Sequence, residues 1–215
     1  MNQTLLEEYI QTGNAVELEA LLAANTYLAN EKTSQNISPI MLCCYYKKPA
    51  LAEIILKHLP GISIFEAAAL GKSDSLKTAL DHHPELINDF SEDGFTPLSL
   101  ASYFGNEDIT HFLLLNGADA NIPSKNGYNV YPLHSAVAAN YTMIAKMLLE
   151  AGADINVVQM SGATPLHSAA SNGNIELLIV LLEAGANVHA IMEDGKTPAD
   201  KAFDKGFLDI AKILS

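Results

Sequence analysis

Cysteine is nearly absent, and the only two, Cys43 and Cys44, sit side by side. A disulfide between sequence neighbours is strained, and a zinc site needs further ligands at suitable spacing, so neither a disulfide scaffold nor a metal centre is expected. Long apolar runs are missing too. None approaches the ~20 residues that cross a bilayer, so no membrane span is expected. The opening "MNQTLLEEYIQTG" lacks a basic start followed by an apolar stretch, so no secretory leader is visible and a cytoplasmic location is the expectation. Positive charge is scarce: 12 basic against 25 acidic residues leave a net charge of −13, which repels phosphate backbones and argues against nucleic-acid binding. The acidity either serves solubility alone or steers a basic partner, and composition supports both readings. A phosphate-binding loop is lacking as well, because "GKSDS" from Gly71 has neither the second glycine nor the lysine, and no cofactor is expected.

What is present is a folded composition, 49% hydrophobic and 17% charged, arranged periodically. Prolines at 97, 132, 165 and 198 follow one another at 35, 33 and 33 residues. "TPLHSAASNG" from Thr164 has near-copies in "TPLSLASYFG" from Thr96, "YPLHSAVAAN" from Tyr131 and "TPADKAFDKG" from Thr197. A reactive centre is built once, so a feature present four times is scaffolding first. The slot that closes each first helix reads Gly13, Lys47, Gly71, Gly105, Asn140, Gly173 and Gly206, which gives seven helix pairs.

This pattern resembles the ankyrin repeat family along essentially the whole chain, best in "GATPLHSAASNGNIELLIVLLEAGANVHA", and the run "IFEAAALGK…DHHPELIN…SEDGFTPL" looks like bacterial members. The resemblance implies an all-α ankyrin-repeat solenoid of about seven stacked helix-turn-helix repeats including N- and C-terminal caps. It implies a single domain over 1–215, with repeats near 1–33, 34–60, 61–90, 91–122, 123–158, 159–191 and 192–215. It fixes fold, not function.

The residues account for such a unit mechanically. Thr164 is expected to cap the first helix with its hydroxyl, Pro165 to occupy the first helical position, and Gly173 to close the helix in a left-handed conformation. Asn140 tolerates that slot; Lys47 does not, so local strain or a different turn is expected there. Cys43 and Cys44 occupy the slots of Ala169 and Ala170 and are expected to be buried. "IELLIVLLEAG" is apolar over most of its circumference and should be covered by the repeats on either side. Three departures stand out. The 24-residue step from Lys47 to Gly71 leaves no room for a projecting turn, or finger. "NGYNVYP" should make a longer finger. The ends, where Asp200 and Lys201 replace small residues, should be polar.

Candidates for chemistry are few. His134 and His167, each followed by a serine, invite a hydrolase reading, but consecutive helical residues point to different faces, and the same slot holds Ser99, Met41 and Asp200. In ankyrin repeats this histidine bridges backbone groups of adjoining turns, so the resemblance implies a structural role. His82 and His83 in "DHHPEL" lack the i, i+4 spacing of a helical zinc site and read as an exposed loop. Partners of ankyrin repeats lie on the concave face of fingers and first helices. Carried onto this chain, that face comprises Tyr45, Tyr46, Leu70, Glu92, Asp93, Phe95, Tyr103, Phe104, Tyr128, Val130 and Met160, an aromatic groove narrowing to small and polar residues later in the chain. The expected function is a non-enzymatic, monomeric protein-binding scaffold for a partner of unknown identity, basic if the acidity serves recognition. The alternatives are an intracellular inhibitor or immunity-type protein for a basic enzyme or toxin and, remotely, a hydrolase.

Overall fold

A computed structural model describes residues 2–215. Among them there are fourteen α-helices and no β-strand. The chain forms two compact units, Met1–Leu86 and Ile87–Ser215. Unit one contains α1 (Asn2–Thr12), α2 (Ala15–Ala24), α3 (Pro39–Tyr45), α4 (Pro49–Leu56), α5 (Ile64–Leu70) and α6 (Ser73–His82). Unit two contains α7 (Pro97–Phe104), α8 (Glu107–Leu115), α9 (Pro132–Ala138), α10 (Thr142–Glu150), α11 (Pro165–Asn172), α12 (Ile175–Glu183), α13 (Pro198–Asp204) and α14 (Leu208–Ile213).

The helices begin where the sequence puts its caps. The hydroxyls of Ser38, Ser63, Thr96 and Thr197 accept the N–H three residues on at 3.1–3.2 Å. Proline opens α3, α7, α9, α11 and α13, where its missing N–H leaves nothing unpaired. All seven expected closing residues of the first helices are left-handed, including Lys47 at φ 55° and Asn140 at φ 66°. Lys47 therefore carries the expected strain, about 1–2 kcal/mol for a residue with a Cβ. Asn140 is supported through its side-chain oxygen by the amides of Asn172 and Asn174 at 3.2 and 3.4 Å.

Within unit two, α7, α9, α11 and α13 pack in one row and α8, α10 and α12 in a second. Ala101, Ala136, Ala169 and Ala202, all fully buried, let the first helices approach closely. Leu98, Leu133, Leu166, Ile109, Ile144 and Leu177 fill the space between the rows, each worth about 1.5–3 kcal/mol on burial. Within unit one, α1, α3 and α5 pack in sequence, and α2 packs on α4.

The connections follow the spacing. Residues 57–63, between α4 and α5, number seven where 83–96, 151–164 and 184–197 number fourteen each, so no finger is formed there. Ordinary fingers close by a backbone bond spanning four residues, as from Ser91 N–H to Phe95 O (2.9 Å) or Gln159 N–H to Ala163 O (3.0 Å). The finger containing "NGYNVYP" closes from Ser124 N–H to Val130 O (2.9 Å), two residues longer, as its length predicts.

Two expectations are corrected. The C-terminal helix pair is polar only in part: Phe203, Leu208 and Ile213 are exposed among the exposed charges of Asp200, Asp204, Lys205, Asp209 and Lys212. And α12 is not covered all round, because Ile175 and Ile179 are exposed while Leu177, Leu178 and Leu181 are buried. Apolar sequence marks which residues can be buried; neighbours reach only the side that faces them.

Candidate functional site

His134 and His167 occupy the third position of α9 and α11, and both are buried. The Nδ1 of His167 accepts from Thr164, whose backbone N–H lies at 3.1 Å and hydroxyl at 2.8 Å. Its Nε2–H donates to Lys196 O in the next finger at 3.2 Å. His134 repeats this, with Tyr131 N–H at 3.4 Å and Ala163 O at 3.1 Å. The donors facing Nδ1 and the carbonyl facing Nε2 fix the neutral tautomer with its proton on Nε2. Burial pushes His134 down to about 4 and lowers His167 as well. With both ring nitrogens committed to the backbone, neither imidazole is placed to take a proton from Ser135 or Ser168. Their role is to tie each repeat to the next finger. The Thr164 hydroxyl does not cap α11 as expected: it lies 2.8 Å from His167 Nδ1, and the His167 N–H bonds to the Thr164 carbonyl at 3.1 Å instead. In the same slot Ser99 is too short to reach a neighbouring finger, and its hydroxyl is buried without a partner among the described residues.

Other candidates for chemistry resolve similarly. Cys43 is buried and Cys44 half-buried, and burial pushes both thiols up to about 12. His82 and His83 are exposed at the end of α6, with Glu85 3.1 Å from His83 Nδ1. No three His, Cys, Asp or Glu side chains converge on a metal position among the described residues.

A second ladder escaped the sequence reading. Asn88, Asn121 and Asn156 each accept from a backbone N–H of the following repeat, at Asp119, Asp154 and Asn187 (2.8–2.9 Å). Each also donates to a carbonyl there, at Gly117, Gly152 and Gly185 (3.0–3.5 Å). Their spacings of 33 and 35 residues were the available signal. The fingers themselves are joined by backbone bonds, Lys125 N–H to Gly94 O, Met160 N–H to Tyr128 O and Glu193 N–H to Ser161 O (2.8–2.9 Å).

None of the eleven residues assigned to the partner face is fully buried. In unit two, Glu92, Tyr103, Tyr128 and Met160 are exposed, and Asp93, Phe95, Phe104 and Val130 are half-buried. The bond between Tyr128 and Met160 sets those two exposed side chains (58% and 57%) on adjoining fingers. Tyr103 and Phe104 stand edge to face at the end of α7, ring centroids 5.1 Å apart. In unit one, Tyr46 is exposed, and Tyr45 and Leu70 are half-buried. The two clefts beside the short connection 57–63 are lined by residues such as Leu59, Ile62, Lys72 and Thr78, and neither reaches Leu70. In unit two a cleft of about 260 Å³ opens between the fingers and first helices, lined by Gln159, Ser168, Ser171, Met192 and Lys201 among others. It lies at the small and polar end expected of the groove, where the sequence carries no mark of a recess.

No helix among the described residues is long and apolar enough to cross a membrane. The family profile described as "Ankyrin repeats (3 copies)" matches residues 64–159 and 133–215. The human DNA-binding protein RFXANK is 42% identical over 77 residues, covering 36% of this chain and 30% of that protein. The RelA-associated inhibitor of Mus musculus is 35% identical over 109 residues, 49% of this chain and 12% of its own length. The putative ankyrin repeat protein L371 of Acanthamoeba polyphaga mimivirus is 30% identical over 145 residues, 64% of this chain and 19% of its length. The chain thus spans less than a third of each of these relatives. Ankyrin repeats are protein–protein interaction modules, and the family is generally a non-enzymatic scaffold. With two profile matches running from residue 64 to 215, on paired helices closed by left-handed residues, the chain belongs to the ankyrin-repeat family.

Proposed function

We propose that the chain is a non-enzymatic cytoplasmic scaffold that holds a protein partner on the fingers and first helices of unit two. One observation carries this reading. The recurring polar residues His134, His167, Asn121 and Asn156 spend their hydrogen bonds inside the protein, while large side chains at variable positions, Tyr103, Tyr128 and Met160, are turned outward. Exposed aromatic residues and methionine are the types enriched at interface centres. Exposed Glu92, with Asp93 beside it, favours a basic residue in the partner. Tyr45, Tyr46 and Leu70 hold the corresponding positions on unit one and are assigned the same role there. Free thiols at buried Cys43 and half-buried Cys44 accord with a reducing compartment.

The test pairs Phe104→Glu with Tyr103→Ala, and separately Tyr128→Ser with Met160→Ser, reading thermal midpoint and capture of partner from native-host lysate. Loss of the partner with the fold intact is expected; full retention by the folded surface variant would remove the assignment. A second reading, an inhibitor of a basic enzyme or toxin, draws on the net charge of −13 and on the likeness to RelA-associated inhibitor. It requires an association rate that falls steeply with added salt, and a salt-independent rate contradicts it.

A further inference from the structure

The cleft of about 260 Å³ in unit two differs from the exposed aromatic positions in both chemistry and place. Its lining includes Gln159, Ser168, Ser171 and Lys201 together with Ala163, His167 and Met192. The side chains of Gln159, Ser168 and Ser171 make no hydrogen bond among the described residues, whereas the polar residues of the two ladders are fully engaged. Lys201 is half-buried, yet it forms no ion pair, unlike Lys57, Lys72, Lys146 and Lys196. The nearby carboxylates are already committed. Asp200 accepts from Thr197 N–H at 2.8 Å, Asp204 pairs with Lys196, and Asp194 accepts from Lys196 N–H at 3.1 Å. A cation without a partner therefore faces a small recess with unused donors. The volume lies just below the roughly 300–1,000 Å³ of pockets for drug-sized molecules and has room for a single side chain.

We propose that this cleft receives an aspartate or glutamate side chain of an extended partner segment, its carboxylate paired with Lys201 Nζ and hydrogen-bonded by the Gln159 amide and the Ser168 and Ser171 hydroxyls. This rests on the reading that unit two binds a protein on its finger face. With Glu92 on an earlier finger of the same unit, it gives the bound segment a direction: a basic residue toward Glu92, an acidic one toward Lys201. Opposite charges at fixed places reject the reversed segment, which is how charge yields specificity.

The experiment selects binders from a displayed random-peptide library on the full chain, on Lys201→Glu and Lys201→Met, and on the Tyr128→Ser, Met160→Ser double variant, each checked for wild-type helicity. The wild type is expected to enrich peptides with Asp or Glu at one position. Changing that residue to Ala, or Lys201 to Met, should weaken binding about fivefold, as for a half-exposed ion pair, and Lys201→Glu should switch the preference to Lys or Arg. Peptides that depend on Tyr128 and Met160 but show no acidic position, or the same one with Lys201→Glu, would overturn this inference and leave the scaffold reading standing. Failure of every protein to enrich peptides that depend on Tyr128 and Met160 would overturn the scaffold reading and this inference with it.

Discussion

The two units use one repeat pattern and hold it together differently. In unit two, side chains cross from repeat to repeat onto backbone groups: His134 to Ala163, His167 to Lys196, and Asn88, Asn121 and Asn156 to the turns that follow. In unit one, exposed and charged contacts join neighbouring repeats at Lys57 with Glu19, Lys72 with Glu53, and Glu7 with Ser34. Exposed bonds and ion pairs contribute about 0–1 kcal/mol each, whereas losing one of the histidine bonds, which leaves a buried group unpaired, costs about 1–3 kcal/mol. Both units hold left-handed residues with a Cβ, such as Lys47 in unit one and Ser161 in unit two, so this strain does not separate them. Unit two should therefore resist opening longer, and amide hydrogen exchange should be slower in α9 and α11 than in α3 and α5. Equal rates would show that the ladders add nothing.

The largest effect is expected where two fingers touch. A Cβ at Gly94 would lie 2.8 Å from the backbone nitrogen of Asn126, at φ +83°, so neither the neighbour nor the residue can yield cheaply. Gly94→Ala should cost about 3 kcal/mol in urea unfolding, combining left-handed strain with displaced backbone. A loss below 1 kcal/mol would mean the finger row is soft.

Next comes acid. His134 titrates near 4 in the fold against an ordinary 6.5, so its contribution is complete above pH 6.5 and falls away as the pH drops toward 4, where the unfolded chain gains a proton that the fold refuses. The slope is about 1.4 kcal/mol per pH unit, some ~3 kcal/mol over that window. His134→Gln removes this slope, so urea midpoints of the wild type and variant should converge as the pH falls from 7 to 4.5. Parallel curves would show that burial does not hold the His134 imidazole neutral.

Smaller changes sharpen the contrast. Asn121→Ala breaks bonds to Asp154 and Gly152 and should lower stability by about 1–2 kcal/mol. The reverse change in unit one, Lys47→Gly, should raise stability by about 1 kcal/mol by relieving its left-handed backbone. Calorimetry on both variants measures these, and a destabilised Lys47→Gly would place the strain elsewhere.

How much of this was legible depends on what the sequence repeats. The proline starts at 97, 132, 165 and 198, the closing residues, the missing finger and the long finger could all be read, because prolines, left-handed residues and lengths are local matters, whereas the hydroxyl cap read at Thr164 gives way to its contact with His167. The bridging role of His134 and His167 followed from likeness to the family rather than from spacing. The asparagine ladder was legible in principle, since residues 88, 121 and 156 recur in register, but polar residues near turns look like ordinary turn formers. What could not be read was coverage: Ile175 and Ile179, or Phe203 and Ile213, look like core until the neighbours that would cover them prove absent on that side. The Lys201 cleft was hidden for the converse reason, because Gln159, Ser168 and Ser171 matter through the bonds they leave unmade.

The central claim is that recurring residues hold the stack while variable ones on the fingers meet another protein. Hydrogen exchange of the chain, free and saturated with partner purified from its native host, tests it most directly. The account predicts slowed exchange in the fingers at 91–95, 124–130 and 159–163 and at the end of α7, with α8, α10 and α12 unchanged. Protection confined to α8, α10 and α12 would contradict it.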